Sequence, residues 1–388
     1  MKIAKLDVLK LSQPYGKDEQ WRFSGGKVDV WNTVLVRLTA EDGTTGLGEI
    51  GDGHFIPDVA EALALFCRRM IGDISVFDTN LLFDRMYKAG HFWGRRGLAL
   101  GVISGIETAC WDIQGKLLEQ PVYRLLGGAY RTKIRTYASG GMEQTDAELA
   151  DELKQHVDFG FTAVKIRGGY TDPARDEHIM NVARRAVGDK IDVAVDCGQG
   201  YVPGPWSIKK AIEAARRLAP YRPMWLEEPV RTDDVAGYAE VRAASEVPIA
   251  AGENLTGLVE ARGLIDNKAL DVIQADITHA GGIGETRRIA DYAHAHHVAW
   301  APHVFRSGVG FMAHLHLCLA QPNAMIFEYS RQAALRDELV VEMPRFEQGC
   351  LLAVDRHGLG VHLPDEVTTR FPYQPGTEQW FSVEGYRE

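Results

Sequence analysis

Eight short apolar runs, each followed by a polar turn and an amphipathic stretch, occupy the chain from residue 134 to residue 328. They are Ile134–Ala138, Ala163–Arg167, Val193–Asp196, Met224–Glu227, Ile249–Glu253, Val272–Asp276, Ala299–His303 and Met325–Glu328, and successive final residues lie 23 to 31 positions apart. A hairpin needs only a few residues between strands, whereas a parallel neighbour needs a crossover of a dozen or more, usually a helix. Eight strands at this spacing predict a parallel (β/α)₈-type barrel, an α/β fold.

The segments between the runs carry helix signals. Thr145 followed by Glu148 reads as a capping box, and Leu149, Leu153 and Val157 then recur on one face. Pro173 suits a first helical turn, Ile179, Val182, Ala183 and Ala186 form the next stripe, and Gly188 ends it. Residues 1–128 do not repeat this unit. The N-terminal eight residues and 30–38 read as strands, Glu41-Asp42-Gly43 as a hairpin turn and 44–50 as the returning strand, with helices expected at 57–70 and 98–118. The chain therefore divides into an α+β domain at 1–128, the barrel at 129–355 and a Gly- and Pro-punctuated segment at 356–388 that returns to the first domain.

The balance of 53 acids to 43 bases, with no run of Lys and Arg, excludes nucleic acid and anionic membrane as partners. No stretch of about 18 apolar residues is present, so no membrane span is expected. Five cysteines, odd in number and never paired as Cys-x-x-Cys, suit a reducing compartment, and a cytoplasmic location is expected.

In a parallel barrel the C-terminal ends of all strands meet at one face, the usual place for catalysis. The last seven runs bring Lys165 and Arg167, Asp196, Glu227, Glu253, Asp276, His303 and Glu328 to that face. A single acid after a strand is often just the N-cap of the next helix, but capping does not account for all seven positions. Asp196, Glu227 and Glu253 end three consecutive strands with no Cys or His among them. Such a set selects a hard ion, and three carboxylates leave open positions that suit Mg²⁺, one per subunit. The competing reading is neutralisation by Arg alone. Glu228 supports the ligands rather than joining them. Asp276 and His303 end neighbouring strands, so the carboxylate can fix the imidazole's tautomer and raise its basicity, as a general base requires; the alternative is a satisfied core histidine. Lys165 and Arg167 alternate on one strand and point the same way. They can hold a substrate carboxylate and the charge that develops on it, or simply neutralise the acids.

These residues resemble the enolase superfamily, specifically the mandelate racemase subgroup and its acid-sugar dehydratases. The resemblance spans nearly the whole chain. It rests on Gly-Leu-Gly-Glu at 46–49, Ser-Gly-Ile-Glu-Thr-Ala-Cys-Trp-Asp at 104–112, Val-Lys-Ile-Arg, Val-Asp-Cys-Gly-Gln, Trp-Leu-Glu-Glu-Pro, Ala-Gly-Glu-Asn, Gln-Ala-Asp and Pro-His-Val, in that order. It implies the modified (β/α)₇β form of the TIM-type barrel with an N-terminal α+β capping domain. It also implies Mg²⁺ on Asp196, Glu227 and Glu253, supported by Glu228, Asn254 and Gln199. Asp276 and His303 would form the basic dyad, Lys165 would contact the substrate carboxylate, and Glu328 would hydrogen-bond it as the electrophile. Capping loops would close over the distal end of the ligand, making Tyr15, Trp21, Arg22 and His54 substrate-binding candidates.

Arg167 stands where the subgroup commonly has a second lysine acting as a base on the opposite face. Arginine stays protonated in proteins and does not readily provide a second proton acceptor. Dehydration of an acid sugar (an aldonate or aldarate) to a 2-keto-3-deoxy acid needs only one such residue. The expected activity is therefore that of a hydro-lyase on a small carboxylate, in a homo-oligomer. A racemase or epimerase, or a sugar-lactone cycloisomerase, is the alternative enzyme, and a metal-stabilised binding barrel without turnover the alternative of another class.

Overall fold

The computed structural model describes residues 1–17, 19–23, 26–202 and 204–377. The barrel strands are Lys133–Ser139, Ala163–Arg167, Asp192–Asp196, Leu226–Glu227, Ile249–Ala251, Val272–Ile273, Ala299–Trp300 and Phe327–Ser330. Each of the first six is hydrogen-bonded in parallel to the next, and the eighth pairs in parallel with the first. The seventh and eighth meet through a parallel bridge between Trp300 and Ala324, with Met325 N donating to Trp300 O at 2.8 Å. The ring of eight is thus closed, leaving no strand edge to cap. Helices follow the first seven strands, and the eighth leads instead to an antiparallel hairpin (Phe346–Glu347 and Cys350–Leu352) that adds to the first strand. This is the (β/α)₇β arrangement.

The expected capping box forms at Thr145, Pro173 occupies the first turn of Pro173–Val187, and Gly188 ends that helix. Inside the barrel, Tyr137 and Trp225 meet edge to face at 5.4 Å among Ala163, Ala194, Ala250 and Ala301. Large rings against alanines fill a narrow barrel to packing density. Trp225 also donates through Nε1 to Glu227 Oε2 at 2.8 Å, so the floor of the barrel fixes one of the carboxylates above it.

The N-terminal region contains a three-stranded antiparallel sheet of Ile3–Pro14, Val30–Ala40 and Thr45–Glu49 packed on helices Pro57–Ile71, Thr79–Ala89 and Leu98–Leu117. The helix at 79–89, which buries Thr79, Leu82 and Met86 on one face, and the short hairpin of Trp21–Phe23 with Gly26–Val28 lie outside the elements expected from the sequence. Gly46 and Gly48 are required by close approach. A methyl group on Gly48 would lie 1.8 Å from Gly105 O, and one on Gly46 2.2 Å from Ala109 O, so backbone packs on backbone where strand meets helix.

Two acids of the capping-domain motifs dock this region on the barrel. Glu49 accepts from Ser307 Oγ at 2.6 Å and Gly310 N at 3.0 Å, at the start of helix Gly308–Ala320. Glu107 accepts from Ile283 N at 2.8 Å and Gly284 N at 3.0 Å, at the start of helix Ile283–Ala295. Both carboxyls meet unsatisfied N–H groups at the positive end of a helix. The C-terminal segment, of which 378–388 lie outside the described residues, contacts the first sheet: Ser12 N donates to Phe371 O at 3.2 Å and Asn32 Nδ2 to Thr377 O at 3.2 Å. All five cysteines are free thiols. No helix among the described residues is long and apolar enough to cross a membrane.

Candidate active site

The second, third and fourth strands are in register so that Arg167 pairs with Asp196 and Asp196 with Glu227 along the C-terminal rim. Glu253, Asp276 and His303 lie two or three residues beyond the ends of their strands, on the first turns of the loops. Lys165 is buried and serves as the hub of the acids. Its Nζ lies 2.8 Å from Glu227 Oε1, 3.1 Å from Glu328 Oε1 and 3.7 Å from Asp196 Oδ2. Burial opposes its charge, yet Glu227 and Glu328 outweigh that and hold the ammonium well above its ordinary pKa. Arg167 Nη1 pairs with Asp196 Oδ2.

Asp276 uses its two oxygens for different purposes. Oδ1 accepts from Thr278 N and Thr278 Oγ1, each at 2.7 Å, and so caps the one-turn helix Ile277–Ala280. Oδ2 faces His303 Nδ1 at 2.9 Å and Arg306 Nη2 at 2.9 Å. The same carboxylate therefore both caps that helix and contacts the imidazole. A carboxylate facing Nδ1 places the proton there and leaves the His303 Nε2 lone pair on the open side, 3.7 Å from Glu253 Oε2. Burial lowers the His303 pKa, but Glu253, the Asp276 hydrogen bond and Glu328 together raise it. Burial would raise that of Asp276, but Arg306 and the bonds from His303 and His314 bring it well below the carboxylate range.

Glu328 lies with Oε1 3.1 Å from Lys165 Nζ. Burial would raise the Glu328 pKa, but Lys165, His303, the nearby Ser139 hydroxyl and the bond accepted from Val304 N bring it down to about 2. In this arrangement one Glu328 oxygen accepts from Val304 N at 2.7 Å and the other faces Lys165 Nζ.

Asp196, Glu227 and Glu253 stand at neighbouring strand ends, but each turns to its own partner: Arg167, Lys165 and, for Glu253, Asn254 at 3.2 Å. Among the described residues no group of three or more His, Cys, Asp or Glu side chains is already gathered to hold a metal ion. The donor set nevertheless fits a hard cation. Glu228 is buried beside these acids with no hydrogen-bond partner for either oxygen, and burial together with Glu253 and Glu227 raises its pKa well above the ordinary value. That is surplus negative charge of the kind a divalent ion relieves. Gln199 lies behind, donating to Gly169 O at 3.1 Å and Cys197 O at 2.9 Å and accepting from Trp206 N at 2.7 Å, so it braces the loops rather than the acids.

A cavity of about 290 Å³ opens over this face. Arg167, Glu253, Asn254 and His303 line one part of it, and Trp21 and His54 another. Tyr15 and Arg22 do not. Tyr15 donates its hydroxyl to Gln332 O at 2.6 Å, and Arg22 is exposed, 3.8 Å from Glu143. Sequence reasoning missed Arg306, His279, Trp31 and Phe305, which also line the cavity. Arg306 follows His303 by three residues and His279 follows Asp276 by three, so the signal lay in the loops after the strand ends rather than at the ends themselves.

Comparison with known proteins matches residues 17–127 to the mandelate racemase/muconate lactonizing enzyme N-terminal domain and residues 148–367 to the enolase C-terminal domain-like family. The chain belongs to the mandelate racemase/muconate lactonizing enzyme family of the enolase superfamily. It is 35% identical over 341 residues to the arabinonate dehydratase of Saccharolobus solfataricus, covering 86% of this chain and 89% of that protein. It is 31% identical over 357 residues to the D-galactarolactone cycloisomerase of Agrobacterium fabrum, covering 87% and 90%. A racemase from Streptomyces coelicolor A3(2), crystallised with bound magnesium, superposes with a TM-score of 0.85 at 26% identity, covering 95% of this chain and 99% of that one.

Proposed function

We propose that the protein dehydrates an acid sugar, abstracting the proton α to the carboxylate and expelling the β-hydroxyl to give a 2-keto-3-deoxy acid. The observation that carries this reading is the His303–Asp276 contact of 2.9 Å, which orients one base toward a cavity that Arg167 also lines. A binding barrel without turnover has no use for such a base. The dehydratase among the named relatives supports the reaction class.

Lys165 and Arg167 would bind the substrate carboxylate and offset the charge that develops on it. Asp196, Glu227 and Glu253 would hold one Mg²⁺ per subunit, which supplies further positive charge to the same oxygens. His303 Nε2 takes the α-proton, and the C–H bonding pair passes into the enediolate. As that pair forms the new C=C bond the β C–O bond breaks, and the proton on His303 Nε2 leaves with the oxygen as water. The resulting enol tautomerises to the keto acid. Glu328 remains anionic throughout and acts by holding Lys165 and Val304 N. Asp276 keeps the imidazole in its productive tautomer.

A lactone cycloisomerase would begin with the same abstraction, and the second named relative supports it as the alternative. The test is a panel of aldonates, aldarates and sugar lactones incubated with Mg²⁺-loaded enzyme and assayed for keto acid. Keto acid from an open-chain acid, with loss of one water, is the expected result. Ring opening or epimerisation without net loss of water would favour the isomerase reading. No change in any compound, together with no exchange of the α-proton for deuterium, would leave only the binding barrel.

A further inference from the structure

Ring faces form the part of the cavity away from the strand ends. Trp31 stacks on His54 with ring centres 4.5 Å apart and planes 13° from parallel, and Phe305 lies 4.9 Å from Trp31 and 5.4 Å from Trp21. Phe55 and Met142 complete this wall. Indole and phenyl faces favour carbon–hydrogen surface and offer nothing to a carboxylate.

The cations of the cavity are already engaged. Arg167 pairs with Asp196. Arg306 directs Nε to Thr278 Oγ1 at 2.8 Å, Nη1 to Phe305 O at 3.0 Å and Nη2 to Asp276 and His279. Arg22, expected at this end, lies outside. Among the described residues no positive side chain is presented by the aromatic wall. Besides the indole N–H groups of Trp21 and Trp31, which only donate, its polar group is His54. Nδ1 is 2.6 Å from Gly51 O, and a carbonyl only accepts, so the proton sits on Nδ1 and Nε2 carries a lone pair. Burial and the nearby Arg306 charge push its pKa down to about 3, so that it stays an acceptor at neutral pH.

Resting on the dehydratase reading, we infer that the substrate is a monocarboxylic acid sugar whose far end lays carbon–hydrogen faces on Trp21, Trp31 and Phe305 and offers one hydroxyl to His54 Nε2. A terminally deoxygenated aldonate fits this wall best, the fully hydroxylated aldonate less well, and an aldarate not at all. The second carboxylate of an aldarate would be stripped of water against aromatic rings with no counter-charge.

The test compares an aldonate, its terminal deoxy analogue and the corresponding aldarate of one configurational series with Mg²⁺-loaded enzyme. The deoxy acid should exceed the aldonate in kcat/KM by about tenfold, and the aldarate should fall about 100-fold or more below it. His54→Phe keeps a ring on Trp31 and removes the acceptor. It should raise KM for the hydroxylated acids about tenfold and leave kcat nearly unchanged. Calorimetric binding of the same acids to Mg²⁺-loaded His303→Asn separates this inference from the dehydratase reading. Selective binding of monocarboxylates without turnover in the wild type would sink the reaction and leave the substrate class standing. Aldarate turnover or binding within tenfold of the aldonate, a deoxy acid poorer than its parent, or no binding of any of the three would overturn the substrate class.

Discussion

Asp52 of the capping domain accepts a hydrogen bond from His279 Nδ1 of the barrel at 2.9 Å. The other ring nitrogen of His279 faces Arg306 Nη2, a group that only donates, so the tautomer is fixed with its proton toward Asp52. Arg306 in turn touches the Asp276 oxygen that faces His303. A line of contacts thus runs from the cap to His303 and predicts that Asp52 and His279 act as positioning residues. Asp52→Ala should lower kcat about tenfold with little change in KM, and Arg306→Met about 100-fold, since it also takes a positive partner from buried Asp276. Steady-state kinetics on variants with unchanged circular dichroism check this. An effect of Asp52→Ala confined to thermal stability would reduce the chain to a structural contact.

Glu107 gives the stability a pH dependence of its own. Burial raises its pKa, against the lowering effect of bonds from Trp111, Gly284 and Ile283, to about 7 from an ordinary 4.5. Between those values the folded protein keeps a proton that the unfolded chain has released. Its contribution is therefore complete below pH 4.5 and is lost as pH rises to about 7, by about 1.4 kcal/mol per unit. Glu107→Gln sets an amide N–H against backbone donors and should cost about 2 kcal/mol. It should also abolish that share of the decline between pH 4.5 and 7, measured by urea unfolding across the range. Parallel wild-type and variant profiles would contradict the assignment.

The strand rhythm and the charged residues at its ends were legible because burial and parallel pairing leave few other solutions for such a pattern. Lys165, Asp196 and Glu227 could be placed because they lie within regular strands. Arg306, His279 and the aromatic wall were not legible, since their positions depend on loop conformation and on packing between regions far apart in sequence, such as Trp31 against Phe305. Glu328 shows a further limit: its strongest positive partner, Lys165, is 163 residues away in sequence but 3.1 Å away in space. The acidic ends of Gly-Leu-Gly-Glu and Ser-Gly-Ile-Glu mark helix starts in the barrel, which no local periodicity announces.

Close backbone packing makes Gly48 intolerant of any side chain. Because a methyl group there would collide with Gly105 O, a backbone atom that cannot rotate away, Gly48→Ala should destabilise the protein by about 3 kcal/mol through overpacking. The denaturation midpoint in urea should fall with an unchanged slope. A midpoint equal to that of wild type would mean that strand and helix separate freely.

The carboxylates at the third to fifth strand ends predict metal dependence. Exhaustive chelation should abolish activity and Mg²⁺ restore it. Asp196→Asn and Glu227→Gln should each lower kcat/KM roughly a thousandfold, about 4 kcal/mol of transition-state stabilisation, while the fold persists. Direct calorimetric titration with Mg²⁺ provides a readout independent of turnover. Full activity in chelated enzyme whose metal content has been measured would exclude the assignment.

His303 and Arg167 approach the cavity from different strands, and only one of them can take up a proton at neutral pH. Wild type should therefore exchange the α-proton of one substrate epimer with solvent and leave the other untouched. His303→Asn should lose dehydration and exchange together, because no other proton acceptor faces the substrate in this mechanism. Arg167→Lys replaces a fixed cation by an amine whose pKa falls beside other positive charge. Placed near Lys165 and Mg²⁺, that lysine should gain slow exchange of the second epimer, as long as Asp196 still finds a partner. Proton NMR in D₂O follows both epimers in one experiment. Rapid exchange of both by wild type, surviving in His303→Asn, would place the base elsewhere on the cavity wall and overturn the one-base mechanism.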